Sequence, residues 1–360
     1  MQRWYEETLY FSGDEYFEKM FVDLAKARRS VDFETYIYEA CHLGERLACL
    51  LIDLARRGVR VRVIVDGFGS PKWESHYGQR LIDAGVRFKV YHPLFRSLPR
   101  AFHKLNHRDH KKVCIIDGRI AWVGSLNVSE KHLTMSQGTL CWRDTGIRVA
   151  GEGVNTLNVS FLRAWNRRRW RWMYASQRKA VEVHRENLLL LKDSPALRRR
   201  THLDVFGKIV SAERRIWATT AYFVPTLSLI KALKFAASNG VDVRLLLPRT
   251  SDVFFIPWIS RIFYRTLLRS GVRIYEYGPR FIHAKSLIID DWAVVGSSNL
   301  NYRSFLHDLE VDVVVTHPEN RERLSQQFLE DLEQTQEVRL VSTTWTAWIG
   351  HLLHRWRYWM

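Results

Sequence analysis

The chain has 360 residues, of which 46% are hydrophobic and 26% are charged, a balance typical of a globular protein with two domains or one duplicated domain. Its formal net charge of +17 favours an anionic partner, either nucleic acid or a membrane surface rich in anionic lipid. The first residues do not have the pattern of a signal peptide, and no apolar run reaches the roughly 18 residues of a spanning helix. We therefore expect any membrane contact to be peripheral.

The first quarter of the chain alternates between helical and strand patterns. Helices are predicted at 17–27 and 46–57, and strands at 30–38, 59–65 and 86–91. Gly58 and Gly85 stand where a helix usually ends. This alternation predicts an α/β fold in which helices cover a mostly buried sheet.

Two β-hairpins are predicted further along the chain. They comprise residues 113–116 with 120–123, and residues 287–289 with 293–295. The first hairpin would turn at Asp117 and Gly118, and the second at Asp290 and Asp291. Further strands are predicted at 142–150 and 309–316.

Three other pairs of segments repeat in the same order along the chain. They are 27–36 with 212–222, 57–65 with 239–247, and 84–88 with 270–274. The chain is therefore predicted to be a duplicated α/β/α sandwich whose two halves share one active site. We assign residues 1–178 to the N-terminal half, 179–201 to a linker, 202–340 to the C-terminal half and 341–360 to a tail.

Tryptophan and arginine are interleaved in two segments, 165–172 and 345–359. Indole rings favour the water–lipid interface, although stacking on single-stranded nucleic acid would use the same pattern. The apolar residues of 345–360 have helical spacing, which predicts an amphipathic helix that lies in the interface or packs on the domain core. The four cysteines have no C-x-x-C spacing, which predicts free thiols in a reducing compartment.

One motif, H-x-K-x4-D, occurs twice, 173 residues apart. Its copies consist of His110, Lys112 and Asp117, and of His283, Lys285 and Asp290. Each is followed by a serine and an asparagine, which are Ser125 with Asn127 and Ser297 with Asn299. Residues i and i+2 of a strand point to one face, so each histidine is presented together with its lysine. The lysines, serines and asparagines are predicted to bind the oxygens of an anionic phosphodiester.

The two histidines would divide the chemistry of phosphoryl transfer. One, neutral, attacks phosphorus to form a phosphohistidine, and the other donates a proton to the leaving oxygen and then activates the acceptor. A carboxylate would orient each ring, and Asp144 and Glu310 are the candidates because they follow the two motifs at comparable distances. The scheme requires no metal and no other cofactor.

Two alternatives concern single residues of the motifs. As members of the motif, Asp117 and Asp290 are predicted to be catalytic, but they would also suit a purely structural role in their turns. The cluster of His103, His107 and His110 resembles a metal site, but it has no carboxylate or thiolate at ligand spacing.

The paired motif with its trailing G-S-x-N segments resembles the signature of the phospholipase D superfamily, from about residue 15 to residue 315. The segments 33–38, 66–70, 221–225 and 295–304 are similar to those of its bacterial cardiolipin synthases. The resemblance implies transfer of a phosphatidyl group from phosphatidylglycerol, or from phosphatidylethanolamine, to a second phospholipid alcohol. It also implies that His110 is the nucleophile and His283 the acid and base. Many such synthases begin with two transmembrane helices, so the chain resembles a shorter subgroup.

Three other functions compete with cardiolipin synthesis. A hydrolytic phospholipase D would differ only in using water as the acceptor, a nuclease would use the same residues on DNA, and a lipid-binding protein would need no intact motifs. The aromatic segment 254–259 with Arg261 and Arg265 fits a lipid surface better than a duplex groove. We therefore expect anionic phospholipids rather than nucleic acid as partners, at the cytoplasmic face of a bacterial inner membrane. The sequence does not indicate an oligomeric state.

Overall fold

A computed structural model describes residues 4–93, 107–166 and 188–340, so the predicted tail and His103 lie outside the described residues. The strands of the first half are β1 (Glu6–Tyr10), β2 (Ser30–Thr35), β3 (Arg60–Asp66), β4 (Arg87–Tyr91), β5 (Val113–Ile116), β6 (Ile120–Gly124) and β7 (Gly146–Ala150). Its helices are α1 (Gly13–Ala25), α2 (His42–Arg56), α3 (Trp73–Asp83), α4 (Thr134–Gln137) and α5 (Val154–Trp165), with single 3-10 turns at Glu130–His132 and Gly138–Leu140.

The second half repeats this succession. Its strands are β8 (Leu189–Leu191), β9 (Arg215–Thr219), β10 (Asp242–Pro248), β11 (Arg273–Tyr277), β12 (Ser286–Ile289), β13 (Trp292–Gly296), β14 (Val311–Val315) and β15 (Thr335–Glu337). Its helices are α6 (Pro195–Val210), α7 (Leu227–Ser238), α8 (Ile256–Leu268), α9 (Tyr302–Leu306) and α10 (Pro318–Glu333). Within the described ranges, no helix is both long enough and apolar enough to cross a membrane.

Each half forms one mixed sheet. The strand order is β1-β7-β6-β5-β2-β3-β4 in the first sheet and β15-β11-β10-β9-β12-β13-β14-β8 in the second. Read backwards, the second order repeats the first with β15 added at the edge. The strands β2, β3 and β4 are parallel to one another, as are β9, β10 and β11, whereas the hairpin strands are antiparallel. The predicted duplicated α/β fold is confirmed.

The predicted boundary between linker and second half is wrong. Strand β8 lies inside the predicted linker 179–201, yet it pairs antiparallel with β14, as β1 pairs with β7. Helix α6 begins in the linker as well, because Ser194 caps it by accepting a hydrogen bond from the Leu197 N–H, and Pro195 suits its first turn. The polar residues that suggested a break are therefore the start of a helix, and the second half includes β8.

Alternation along the strands divides the core into three layers. In β5, Val113 and Ile115 face a central cluster, while Cys114 and Ile116 face the outer helices of the first half. The central cluster contains the inner faces of both sheets together with α5 and α10, and the outer clusters lie under α1 to α3 and under α6 to α8. The two halves thus share one buried interface, and the motif segments lie where their sheets meet.

Candidate active site

Two short parallel bridges cross between the halves and position the histidines. Asp109 pairs with Leu309, and the His110 N–H donates to the Leu309 carbonyl at 3.0 Å. In the equivalent bridge Arg143 pairs with Ile282, and the residue that follows, His283, donates its N–H to the Arg143 carbonyl at 2.8 Å. Each motif therefore lies beside the segment of the other half that carries a predicted orienting acid.

Each of the two predicted orienting acids contacts the histidine of the opposite half. Glu310 approaches His110, with its Oε2 at 3.1 Å from Nδ1, and it also accepts a hydrogen bond of 2.6 Å from the Ser304 hydroxyl. Asp144 approaches His283, with its Oδ1 at 3.0 Å from Nδ1. Because a carboxylate only accepts hydrogen bonds, Nδ1 of each ring carries the proton and Nε2 keeps a lone pair. Each ring is therefore oriented by a carboxylate of the opposite half.

Asp144 has a second imidazole partner, His132, which was not among the predicted site residues. The Nδ1 of His132 lies 2.6 Å from Oδ2 of Asp144, and its Nε2 accepts the Asn127 N–H at 3.2 Å. Burial alone would raise the pKa of Asp144, but His283 and His132 hold it well below its usual range. The only signal in the sequence was position: His132 follows Asn127 by five residues, as Ser304 follows Asn299.

Both motif lysines are buried beside their histidines. Lys112 Nζ donates to the His110 carbonyl at 2.6 Å, and Lys285 Nζ donates to that of His283. Burial lowers the pKa of Lys112 to about 8 and that of Lys285 to about 7. Both side chains are thus poised to regain full charge when an anion binds next to them.

The intervening residue Lys111 points away from the site. Its Nζ lies 3.0 Å from Glu34 and 3.4 Å from Asp193, in a fully buried ion cluster. Burial would lower the pKa of Lys111, but these carboxylates raise it above its ordinary value. The predicted alternation therefore holds: His110 and Lys112 face one side, and Lys111 links the two halves on the other.

Both histidines are neutral in the free protein. Burial and then Lys112 lower the pKa of His110 well below its usual range, and burial and then Lys285 lower that of His283 to about 3. A bound phosphate would place negative charge between these lysines and rings and would raise the pKa of each histidine. The arrangement therefore supplies one neutral nucleophile and one ring that substrate binding helps to protonate.

Two aromatic rings complete the walls of the site. Tyr36 lies with its ring 5.0 Å from that of His110 and 5.3 Å from Lys112 Nζ. Tyr222 takes the equivalent place, 6.2 Å from the His283 ring and 5.9 Å from Lys285 Nζ. Both tyrosines lie in segments that resemble those of the cardiolipin synthases, but the sequence did not indicate a role for them.

The side-chain oxygen of each asparagine accepts a hydrogen bond from a backbone N–H group. Asn127 Oδ1 accepts the Ile37 N–H at 3.2 Å, and Asn299 Oδ1 accepts the Tyr222 N–H at 3.3 Å. The remaining Nδ2 group of each is the end that would donate to phosphate. Phosphate binding by Asn127 and Asn299 remains a prediction.

The prediction that Ser125 and Ser297 bind phosphate is wrong. Both side chains are fully buried. The Ser125 hydroxyl donates to Asp144 and lies 3.0 Å from the Thr145 carbonyl, and the Ser297 hydroxyl donates to the Val311 carbonyl at 3.2 Å. A hydroxyl has one proton to donate, and in both serines it is already used within the protein. The two serines therefore hold the segments that carry Asp144 and Glu310, just before β7 and β14.

The catalytic assignment of Asp117 and Asp290 is also wrong. Each lies at the far end of its strand from the motif histidine, in left-handed conformation with φ of 54° and 49°. Asp117 accepts the backbone N–H groups of residues 28–30 at 2.7 to 3.0 Å, and Asp290 those of residues 213–215 at 2.9 to 3.0 Å. Their role is the structural one that the turn alternative described.

Known proteins share both the sequence and the fold of the chain. A family model described as "Cardiolipin synthase, PLD-like domain", where PLD denotes phospholipase D, matches residues 20–161 and 205–332. A cardiolipin synthase of Geobacillus sp. (strain WCH70) is 35% identical over 92% of this chain and 67% of its own length. Cardiolipin synthase 2 of Bacillus anthracis is 36% identical over 91% of this chain and 65% of its own length. The chain thus spans about two thirds of these relatives.

The crystal structure of phosphatidylserine synthase from Haemophilus influenzae Rd KW20 superposes with a TM-score of 0.69 at 14% identity, over 98% of this chain and 93% of that one. This similarity concerns the fold. The identity to the curated relatives and the match of the family model to both halves confirm the family inferred from the paired motif. The chain belongs to the phospholipase D-like family of cardiolipin synthase domains.

Proposed function

We propose that the protein is a cardiolipin synthase that transfers a phosphatidyl group from phosphatidylglycerol, or from phosphatidylethanolamine, to a second phospholipid alcohol. The observation that carries the proposal is the exchanged pair of carboxylates. Glu310 and Asp144 hold two neutral histidines of opposite halves, with a buried lysine beside each, in one site. The names of the curated relatives support this choice among reactions at phosphodiesters.

In the first step, Nε2 of His110 attacks the donor phosphorus and the bond from phosphorus to the leaving headgroup oxygen breaks. His283, protonated while the anionic donor is bound, gives its Nε2 proton to that oxygen. The imidazole of His110 gains positive charge as the phosphorus–nitrogen bond forms, and the buried carboxylate of Glu310 stabilises this charge through Nδ1. Lys112 and Lys285 balance the charge on the non-bridging oxygens.

In the second step, Nε2 of His283 removes the proton of the acceptor hydroxyl, whose oxygen attacks phosphorus and displaces His110. The greater exposure of the His110 side chain supports its assignment as the nucleophile. The His110 side chain is 13% exposed and that of His283 only 3%, so the donor reaches His110 more readily. Water in place of the acceptor alcohol would give hydrolysis with the same groups.

We further propose that the protein acts as a peripheral protein at the cytoplasmic face of a bacterial inner membrane, with anionic phospholipids as partners. The net charge of +17 supports attraction to such a surface. All four cysteines are free thiols, and two of them, Cys114 and Cys141, are buried, which suits a reducing compartment.

The test is mass spectrometry of the lipids formed by the purified full chain on vesicles of phosphatidylglycerol, with and without phosphatidylethanolamine. We expect cardiolipin together with free glycerol. Phosphatidic acid as the sole product would assign hydrolysis instead. Cleavage of oligonucleotides with no change in the lipids would contradict a phospholipid substrate. His283→Ala protein serves as the control for contaminating activity.

A further inference from the structure

Three large aromatic side chains are exposed in one turn after β10. Phe254 is 75% exposed, Trp258 is 67% exposed and Phe255 is 44% exposed. The Phe254 ring contacts both others edge to face, at 5.5 and 6.5 Å between centroids. Single exposed apolar residues are ordinary, but a cluster of three aromatic rings marks an interaction surface.

This cluster is joined to the active site through Tyr222. The Tyr222 hydroxyl donates to Asp252 at 2.8 Å, in the loop that carries the cluster, and the ring of the same residue lies beside His283 and Lys285. The Ser260 hydroxyl, in the first turns of α8, donates to the carbonyl of Phe223 at 2.9 Å, next to Tyr222 in the chain. Hydrogen bonds thus connect the segment that carries the cluster to the segment that lies beside His283.

The same edge of the first half exposes apolar groups too. Phe68, which is 52% exposed, follows β3 as the cluster follows β10, and it lies 5.5 Å from the Arg108 guanidinium. Met135 and Leu140, 88% and 66% exposed, lie in the segment that follows His132. Because the carboxyl ends of parallel strands meet at one edge of a sheet, these groups emerge on the side where the histidines lie.

Charge at this edge indicates the chemistry of the partner. Arg249 is exposed at the end of β10, in the loop that carries the cluster. Aromatic rings flanked by arginine fit the boundary between headgroups and acyl chains of an anionic bilayer, where each basic residue near the surface contributes about 1 kcal/mol. A protein partner would have no need for both the rings and an adjoining phosphate site.

We propose that Phe68, Phe254, Phe255 and Trp258 form the docking surface through which the protein binds an anionic phospholipid bilayer. Insertion of these rings would place the headgroup phosphates opposite the gap between His110 and His283, so that a donor lipid reaches the site without leaving the membrane. This inference rests on the proposed function, because it takes the substrate to be a membrane phospholipid.

The test compares the Phe254→Ser/Trp258→Ser double variant with an Ile82→Ser/Val210→Ser control. The control residues are 54% and 39% exposed and end the helices that lead into β4 and β9, at the opposite edge of the sheets. Co-sedimentation with vesicles of phosphatidylglycerol and phosphatidylcholine, together with turnover of a soluble short-chain phosphatidylglycerol, would be measured for the full chain. We expect the docking variant to bind vesicles about tenfold more weakly and the control to bind like the parent protein.

Turnover of the soluble donor should remain within about twofold in both variants, because neither alters the histidines or lysines. Unchanged vesicle binding by the docking variant would overturn the proposal. So would a parent protein that dimerises in sedimentation velocity while the docking variant stays monomeric, since the rings would then cover a second copy. Vesicle binding requires no turnover, so a parent protein that binds vesicles through these rings but makes no lipid product would contradict the proposed function alone.

Discussion

The Nδ1 atoms of His132 and His283 lie against opposite oxygens of the same carboxylate, that of Asp144, at 2.6 and 3.0 Å. The second half has no counterpart, because Ser304 takes the position of His132 and bonds to Glu310. The two catalytic rings are therefore held differently, although the fold around them is duplicated. His132 is a positioning residue that acts on His283 through Asp144.

Replacing His132 by leucine should lower kcat by about 10- to 100-fold, because a hydrogen bond to a charged group contributes about 1.5–3 kcal/mol. It should also raise the pKa of Asp144, which His132 now helps to lower. The acid limb of the pH profile should then move to higher pH. His132→Asn, which keeps a donor near the position of Nδ1, should recover much of the loss. Unchanged kcat and an unmoved acid limb in His132→Leu would contradict this role.

The buried lysines predict how activity depends on alkaline pH. Lys285, with a pKa of about 7, and Lys112, with a pKa of about 8, carry charge only below those values in the free protein. Because they bind the anionic donor as cations, kcat/KM should fall as pH rises through about 7 to 8. Bound phosphate raises both pKa values, so kcat should fall only at higher pH. Initial rates on a soluble donor from pH 6 to 10 would check this, and a kcat/KM that stays level to pH 10 would refute it.

The duplicated fold was predictable because its signals are local. Alternation in 113–116, the glycine that ends α2 and the repeated segments each report on a few neighbouring residues. The strand β8 was missed because three leucines beside a polar segment do not distinguish a strand from a linker. Helices α1 and α2 each begin four residues before the predicted start, because the first turn carries polar residues such as Asp14 and Glu45.

The composite site was only partly predictable, because its decisive contacts are long-range. The sequence identified Asp144 and Glu310 as orienting acids but did not assign either acid to a histidine of the opposite half. The exchange depends on the bridges Asp109 to Leu309 and Arg143 to Ile282, which only the packing of the two sheets sets. The motif also grouped Asp117 with His110, although β5 alone, at about 3.3 Å per residue, separates them by more than 10 Å.

Asp117→Asn should reduce stability and leave the chemistry intact. Its carboxylate accepts three backbone N–H groups at the start of β2, and loss of the charge should lower the free energy of unfolding by about 1–3 kcal/mol. Partial burial alone would raise the pKa of Asp117, but these backbone hydrogen bonds lower it below its ordinary value. In the parent protein, the stabilisation is therefore present at neutral pH and is lost as pH falls below about 4. Urea titrations at pH 7, with kcat per folded molecule, would test it. A large loss of kcat in fully folded Asp117→Asn protein would restore a catalytic role.

The two histidines of the site should have different roles in the reaction. His110→Ala and His283→Ala should each lower turnover by about 10³-fold or more, since one removes the nucleophile and the other the proton donor. With a donor labelled in its phosphatidyl group, the parent protein should yield an acid-labile, base-stable phosphohistidine on the peptide that contains His110. His42→Ala, a change at an exposed ring on α2, should behave like the parent protein. Label on the peptide with His283 would reverse the two roles and keep the mechanism, whereas near-normal cardiolipin synthesis by His283→Ala would eliminate it.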